Sequence, residues 1–402
     1  MTIAKSWRRL AVLLSVCAAL FFAPAAAVAS IGDEGAESAE AEAVDLAPNA
    51  KSAVLIDADT GTVLFEKNKS ERLPPASITK IMTMLLIMEA LDAGKIRLDE
   101  KVRTSEYAAS MGGSQIFLEP GEEMTVEEML KGIALASAND ASVAMAERIA
   151  GTEQAFVQMM NKRAKELGMN DTNFVNSNGL PAENHYTTAA DIAIMSRELM
   201  KHEEVTKYTG LYQDYLRKDT ERPFWLVNTN KLVRFYSGAD GLKTGYTSEA
   251  KFCLSATAKR DGLRVIAVVL GAPDSKSRNS DVSALFDYAF SQYQSHKLIA
   301  DGDPIGTVRV EKGDKEIIEL KADHPYSVLL KKGEKLDAVR YELKYDEPLK
   351  APIAVGQRIG KIVVLSGDAV LKEYDIESPV AVAEANWWTL LKRMGSRLFF
   401  IE

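Results

Sequence analysis

Ser77 and Lys80 stand three residues apart in Pro74-Pro75-Ala76-Ser77-Ile78-Thr79-Lys80, directly ahead of the apolar run Ile81-Met-Thr-Met-Leu-Leu-Ile-Met. The two prolines suit an extended approach and a first helical turn. Ile81, Met84, Leu85, Met88 and Leu91 recur at helical spacing, which predicts a buried helix beginning near Ser77. On such a helix the serine and the lysine share one face of the first turn. The serine would lie where free backbone N–H groups and the helix dipole favour negative charge. A lysine buried beside it sheds its proton more readily and can act as a base. The pair is a candidate nucleophile with its activator.

Ser-x-x-Lys alone arises about once by chance in a chain of this length. Two further motifs accompany it. Ser137-Ala-Asn139 lies at a predicted helix end, 60 residues beyond Ser77, and Lys243-Thr244-Gly245 lies in a predicted strand, 106 residues further on. Taken singly, Ser137 and Asn139 read as cap residues and Lys243 as a solvated strand charge. Ser-x-Asn also occurs at Ser277-Arg278-Asn279, so the argument rests on all three motifs in this order.

The elements that would hold these residues follow from the pattern along the chain. Ser52-Ala-Val-Leu-Ile-Asp, a turn at Asp57-Ala-Asp-Thr-Gly and Thr62-Val-Leu-Phe predict a hairpin. From Leu98 to Ser177 the texture is mostly helical. A capping box at Thr125-Val-Glu-Glu opens a helix that stops near Ser137, and further helices follow over Ala141–Ile149 and Gln154–Leu167. Thr188 caps another running to Met200. Strands return with Asp240–Tyr246, Lys251–Ala258 and Leu263–Gly271, and a helix over Ser280–Tyr293 packs back onto them. The order implies an α+β fold, an antiparallel sheet sandwiched by helices with a helical subdomain. Residues 297–378 alternate in short stretches between Gly and Asp turns and read as a small all-β domain.

Both ends of the chain have a different character. Lys5, Arg8 and Arg9 precede an apolar run from Leu10 to Ala23 and then Ala27-Val28-Ala29, the order of a secretory signal covering residues 1–29. Its removal takes the formal charge from −8 to −11, since three cations leave and no acid does, which argues against a nucleic-acid partner. Residues 30–46 are acidic and alanine-rich, a solvated lead-in. In the C-terminal stretch 383–402, Trp387, Leu390, Leu391, Met394, Leu398 and Ile401 share one helical face, with Lys392, Arg393 and Arg397 opposite. That is the pattern of an amphipathic helix lying in a membrane surface. Cys253, the only cysteine of the mature chain, is expected as a buried strand thiol. His185, His202, His296 and His324 have no paired ligand spacing and are expected at the surface or in loops, so no metal or cofactor is called for.

On Ser77-Ile-Thr-Lys80, Ser137-Ala-Asn139 and Lys243-Thr-Gly245, the segment from Ala47 to Gln294 resembles the serine D-Ala-D-Ala carboxypeptidases of peptidase S11 type. These are the low-molecular-mass penicillin-binding proteins, with a beta-lactamase/transpeptidase-like catalytic domain, here placed at residues 47–295. The β domain and amphipathic tail resemble their C-terminal region. The resemblance implies release of the terminal D-alanine from peptidoglycan stem peptides through a Ser77 acyl-enzyme that beta-lactams trap. It implies Lys80 as general base, Ser137 as proton relay and Asn139 as a partner of Lys80 and the substrate amide. Lys243 and Thr244 would meet the substrate carboxylate, Gly245 would let the substrate backbone approach, and the Tyr246 N–H would complete the oxyanion hole with that of Ser77. Arg278, expected just ahead of the last helix, is a weaker candidate for the carboxylate. The implied location is the outer face of the cytoplasmic membrane. A beta-lactamase would share the motifs, but the stretch Glu166-Leu-Gly-Met-Asn-Asp-Thr-Asn-Phe does not match the Glu-Pro-Glu-Leu-Asn pattern of its deacylating glutamate. A catalytically idle wall-binding protein is the other alternative, against which the intact motifs speak.

Overall fold

The computed structural model describes residues 45–323, 325–334, 339–346 and 348–399, the side chains of 395–399 excepted. The segment expected as a signal, nearly all of the acidic lead-in, His324 and Ile401 therefore lie outside the described residues. Asp45 and Leu46, expected in the lead-in, belong to the fold: Asp45 pairs with Lys67 at 2.7 Å and Leu46 packs on the core.

Strands β1 (Ser52–Asp57) and β2 (Val63–Lys67) form the expected hairpin. They join β3 (Ala239–Thr247), β4 (Lys251–Arg260) and β5 (Leu263–Ala272) in one antiparallel sheet of order β2-β1-β5-β4-β3. Side chains alternate between its faces, as strand geometry requires. Val54, Ile56, Ile266, Val268 and Leu270 meet a helical layer on one side; Ala53, Leu55, Val265, Ala267 and Val269 meet a second layer on the other. Central strand β5 is buried throughout.

The larger layer contains α1 (Lys80–Asp92), α2 (Val126–Lys131), α3 (Asn139–Ala150), α4 (Glu153–Glu166) and α5 (Ala189–Leu199). Helix α1 is buried all round from Lys80 to Met88, not on one face alone, so it forms the axis of this layer. The capping box at Thr125 and the Thr188 cap form as expected. Behind the sheet, α6 (Ser275–Gln292) contributes Val282, Leu285, Phe286 and Ala289. It starts five residues before the predicted Ser280, because the Asp274 carboxylate caps the N–H groups of Lys276 and Ser277. That places Arg278 inside the first turn.

Among the described residues seven strands follow, β6 (Tyr293–Ile299), β7 (Pro304–Arg309), β8 (Ile317–Lys321), β9 (Tyr326–Lys331), β10 (Val339–Tyr345), β11 (Arg358–Ser366) and β12 (Ala369–Glu377). They pair as β6-β9, β7-β8 and β10-β11-β12 around their own core of residues such as Val308, Leu320 and Ile362. The Lys372 ammonium donates to the Thr60 carbonyl at 2.6 Å and ties this module to the β1–β2 turn. Helix α7 (Trp387–Phe399) closes the described chain.

Candidate active site

Three segments from different elements converge on the start of α1. Ser77 lies in a single 3-10 turn, Ala76–Thr79, and the α-helix proper starts at Lys80. Ala76 ahead of it adopts φ +47°, a left-handed conformation that is costly for a residue with a side chain. The turn thereby presents Ser77, which stays half-buried, to the outside, while Lys80 is 0% exposed.

The Lys80 amine has three neighbours: Asn139 Oδ1 at 2.6 Å, the Asn178 carbonyl at 2.5 Å and Ser77 Oγ at 3.1 Å. The first is an oxygen, because the Asn139 amide nitrogen donates to the Gly112 carbonyl at 2.6 Å, which fixes the amide's orientation. Burial drives the Lys80 pKa well below its usual value, and the Lys243 cation pushes it further; Asp140 opposes weakly. A neutral amine has two N–H bonds and one lone pair. The two carbonyl oxygens can only accept, so they take both hydrogens and leave the lone pair for the Ser77 hydroxyl. That is the geometry of a base in contact with its nucleophile.

Ser137 and Asn139 reach the site by an irregularity. After α2 the chain makes a π-helical turn, Gly132–Ala136, that ends on Ser137 in the left-handed region at φ 63°, ψ 34°. α3 then starts at Asn139, so the break sits between two helices and turns both side chains inward. Ser137 Oγ is buried with no hydrogen-bond partner among the described residues, a costly state for a structural serine. Asp140 holds the neighbouring wall through the N–H groups of Ile116 and Leu118 at 3.1 and 3.0 Å.

The third segment is strand β3. Lys243 is 1% exposed, against the alternative of a solvated strand charge, and its ammonium donates to the Thr244 carbonyl at 3.0 Å. Burial, reinforced by the Arg278 guanidinium, lowers its pKa to about 7. Arg278 is itself buried on α6, with its own pKa pushed down to about 10. Thr244 Oγ1 donates to Thr229 Oγ1 at 2.7 Å, and the Thr229 N–H reaches the Leu135 carbonyl at 3.1 Å, linking the strand to the turn before Ser137. A Cβ on Gly245 would stand 3.0–3.1 Å from the Pro75 carbonyl, Ala76 Cβ and Ser77 nitrogen. Gly245 therefore brings β3 against the nucleophile's own turn. Tyr246 follows with its side chain 57% exposed and its ring 4.4 Å from that of Phe252.

The sequence marks Asn176-Ser-Asn-Gly as a loop but gives no sign that it forms the remaining wall of the site. Asn178 supplies a carbonyl to Lys80, and Gly179, at φ +86°, lies against Ala76 so closely that a Cβ would be 1.9 Å from its carbonyl oxygen. His185 lies at the loop's end, as expected, but is buried there rather than at the surface, and bonds to Thr79 Oγ1 at 2.8 Å. The Asn178-Gly179 pair was a visible turn signal, but only of a turn. A cavity of about 610 Å³ opens beside the turn, lined by Pro74, Ala76, Gly179, Leu180, Tyr186 and Thr247. Cys253 is buried in β4 as expected, and burial pushes its thiol pKa up to about 11, which disfavours the thiolate. His202 bonds Asp92 at 2.7 Å, far along the chain from the motifs.

A serine contacted by a buried lysine whose pKa is driven down, a second buried lysine on a strand edge and a polar helix break together define an active-serine acyl-transfer site. Residues 37–274 match the family model of D-alanyl-D-alanine carboxypeptidase, peptidase S11, and residues 293–385 match the penicillin-binding protein 5 C-terminal domain. The D-alanyl-D-alanine carboxypeptidase DacF of Bacillus subtilis is 54% identical over 386 residues, 96% of this chain and 97% of the relative. Penicillin-binding protein 5 of Haemophilus influenzae superposes with a TM-score of 0.66 at 32% identity, covering 84% of this chain and 98% of that one. Penicillin-binding protein D2 of Listeria monocytogenes, solved in an ampicillin-bound form, covers 60% of this chain and 98% of its own with a TM-score of 0.54 at 32% identity. The chain belongs to the D-alanyl-D-alanine carboxypeptidase family of peptidase S11, with the family's transpeptidase-like fold and serine chemistry.

Proposed function

We propose that this enzyme removes the terminal D-alanine of peptidoglycan stem peptides by the following division of labour. The Lys80 lone pair takes the Ser77 hydroxyl proton as Oγ attacks the carbonyl carbon of the penultimate D-alanine. The developing oxyanion lies between the N–H groups of Ser77 and Tyr246. On collapse the C–N bond breaks, and Ser137 gives its proton to the departing amine while taking the one held by Lys80, so D-alanine leaves and the lysine is neutral again. Water then attacks the Ser77 ester, frees the shortened peptide's carboxylate and restores the serine. Lys243, seconded by Thr244 and Arg278, receives the free carboxylate of the last D-alanine, which selects for peptides with an open C-terminus. Asn139 holds the amine of Lys80 in register. A beta-lactam offers the same carbonyl and carboxylate and remains as an ester on Ser77.

The observation that carries this reading is the Lys80 amine, fully buried, with two carbonyls fixing its hydrogens and the Ser77 hydroxyl 3.1 Å away. Release of D-alanine from a stem-peptide mimic and covalent labelling by fluorescent penicillin test it. Wild type is expected to do both and Ser77→Ala neither; equal release by the two refutes Ser77 as nucleophile.

The reading extends to export and to the membrane surface. Trp387, Trp388, Leu391 and Met394 are exposed on α7, with Trp387 at 71%. On the opposite face Arg393 donates to the Gly313 and Asp314 carbonyls at 2.6 and 2.9 Å. The helix is thus held to the β module by its basic side with its apolar side outward, which suits insertion into a lipid interface. Among the described residues no helix is long and apolar enough to cross a membrane. Deleting residues 383–402 is expected to abolish co-sedimentation with anionic vesicles and leave D-alanine release intact; undiminished sedimentation refutes the anchor.

A further inference from the structure

We propose that His185 is a positioning residue for the oxyanion hole: through Thr79 and the Ala76 carbonyl it sets the direction of the Ser77 N–H. The inference rests on the reading of Ser77 as nucleophile and adds a residue that the three motifs do not contain.

The bonds run in one direction. The Val175 N–H donates to His185 Nδ1 at 3.0 Å, so that nitrogen carries no hydrogen. Neutral imidazole then has its hydrogen on Nε2, which faces Thr79 Oγ1 at 2.8 Å and donates to it. The threonine hydroxyl hydrogen is left to point at the Ala76 carbonyl, 2.9 Å away. Burial favours this neutral form, lowering the imidazole pKa to about 4. Every donor in the chain has one acceptor, and no step can be reversed without orphaning the Val175 N–H.

The last link matters because a peptide unit is planar and trans. The Ala76 carbonyl and the Ser77 N–H belong to the same unit and point in opposite directions. Holding the carbonyl oxygen inward aims the N–H outward, toward the substrate oxygen. Ala76 needs such a hold because its φ of +47° is unfavourable for an alanine and must be imposed by its surroundings. Gly179 packs over the same carbonyl from above and Thr79 bonds to it from within the turn. His185, 106 residues from Thr79 in sequence, connects this turn to the loop that also gives the Asn178 carbonyl to Lys80.

The test compares His185→Ala, His185→Gln, Thr79→Val and the double variant His185→Ala/Thr79→Val by acylation rate with fluorescent penicillin and by steady-state D-alanine release. Removing an oxyanion donor outright costs about 10²–10³-fold, so misaiming one is expected to lower acylation and kcat by about 10–100-fold, with KM within about twofold. Because the two residues act in series, the double variant should be no slower than the worse single one. Glutamine can accept from Val175 and donate to Thr79 with the same spacing, so His185→Gln should recover most of the rate lost with alanine. Acylation by folded His185→Ala within about twofold of wild type overturns the proposal. So do losses that multiply in the double variant, or failure of glutamine to recover the rate. If His185→Ala does not fold, Thr79→Val carries the test, with Thr79→Ser as its rescue. Wild type that takes no label at all would refute the nucleophile assignment; a labelled wild type beside an equally fast variant refutes only the role of His185.

Discussion

Replacing Gly179 by alanine puts a methyl group where the backbone of the nucleophile's turn already stands. The added Cβ would lie 1.9 Å from the Ala76 carbonyl oxygen and 2.9 Å from the Ser77 nitrogen, whereas such contacts essentially never fall below 3.0 Å. One of the two backbones must therefore retreat by about 1 Å, and neither obstacle is a flexible side-chain end. The φ of +86° adds left-handed strain of about 1–2 kcal/mol, and overpacking adds about 1–3 kcal/mol, giving about 2–5 kcal/mol of lost stability. A displacement of about 1 Å at a reacting group costs about 10²-fold in rate, equivalent to about 2.7 kcal/mol of barrier. Gly168→Ala is the control, since Gly168 has a similar φ of +79° with nothing within 4 Å of its Cβ position. The control should lose about 1–2 kcal/mol in thermal or denaturant unfolding and acylate normally. Gly179→Ala, measured below its own melting temperature with fluorescent penicillin, should acylate at least about 10²-fold more slowly. If it acylates like Gly168→Ala while folded, the close packing of this loop on Ala76 does not position Ser77, and the reasoning fails.

Other expectations follow from the same geometry. Free-enzyme Lys243, with its pKa near 7, loses its charge as pH rises through neutrality, so kcat/KM for peptides with a free C-terminus should decline on the alkaline side. Bound carboxylate restores the proton, so kcat should hold where kcat/KM falls, and parallel loss of both would contradict this. The sign for stability is the reverse: between about 7 and 10.5 the unfolded chain holds a proton that folded Lys243 lacks, so the Lys243 contribution to unfolding free energy should rise with pH across that window. Lys243→Gln should lower kcat/KM for such peptides by about tenfold or more through loss of a charge-assisted bond, with far less effect on a substrate amidated at its C-terminus. Thr125→Ala removes the side-chain half of the capping box on α2, leaving its backbone N–H on Glu128, and should cost about 1 kcal/mol of stability without changing acylation.

The residues that carry the chemistry were legible because each sits in a local pattern. Ser77 and Lys80 open an apolar helix, Ser137 and Asn139 end one, and Lys243 to Tyr246 lie in an alternating strand. The sheet, its hairpin and the β module were legible for the same reason. What escaped is tertiary. The Asn178 acceptor is a backbone carbonyl, which has no side-chain signature. Gly179 and Gly245 announce a turn and a strand, not the turn 100 and 170 residues away whose atoms their missing Cβ groups accommodate. His185, with no paired ligand spacing, read only as a surface or loop group; its burial is tolerable because Val175 and Thr79 satisfy both ring nitrogens. Arg278 was placed outside its helix because the Asp274 cap went unnoticed, although the Asp-Ser-Lys sequence carries it.

The charge state of Lys80 shows why motif and structure are both needed. A lysine three residues from a serine is ordinarily a solvated cation, and burial alone would not make it neutral if a carboxylate came with it. The carboxylate whose field reaches Lys80 is Asp140, one residue beyond Asn139. Its carboxylate, however, is occupied by the N–H groups of Ile116, Leu118 and Ala141, at 2.9–3.1 Å for the best contact of each. What bonds to Lys80 instead is two carbonyl oxygens and a hydroxyl, with a second lysine pushing against its charge. Asp140 is thus taken up by backbone N–H groups and does not bond to Lys80, which leaves the amine in contact with Ser77. Drawing the Asp140 carboxylate into an ion pair with Lys80 would raise the amine's pKa and leave Ser77 without its base, with every motif residue still in place.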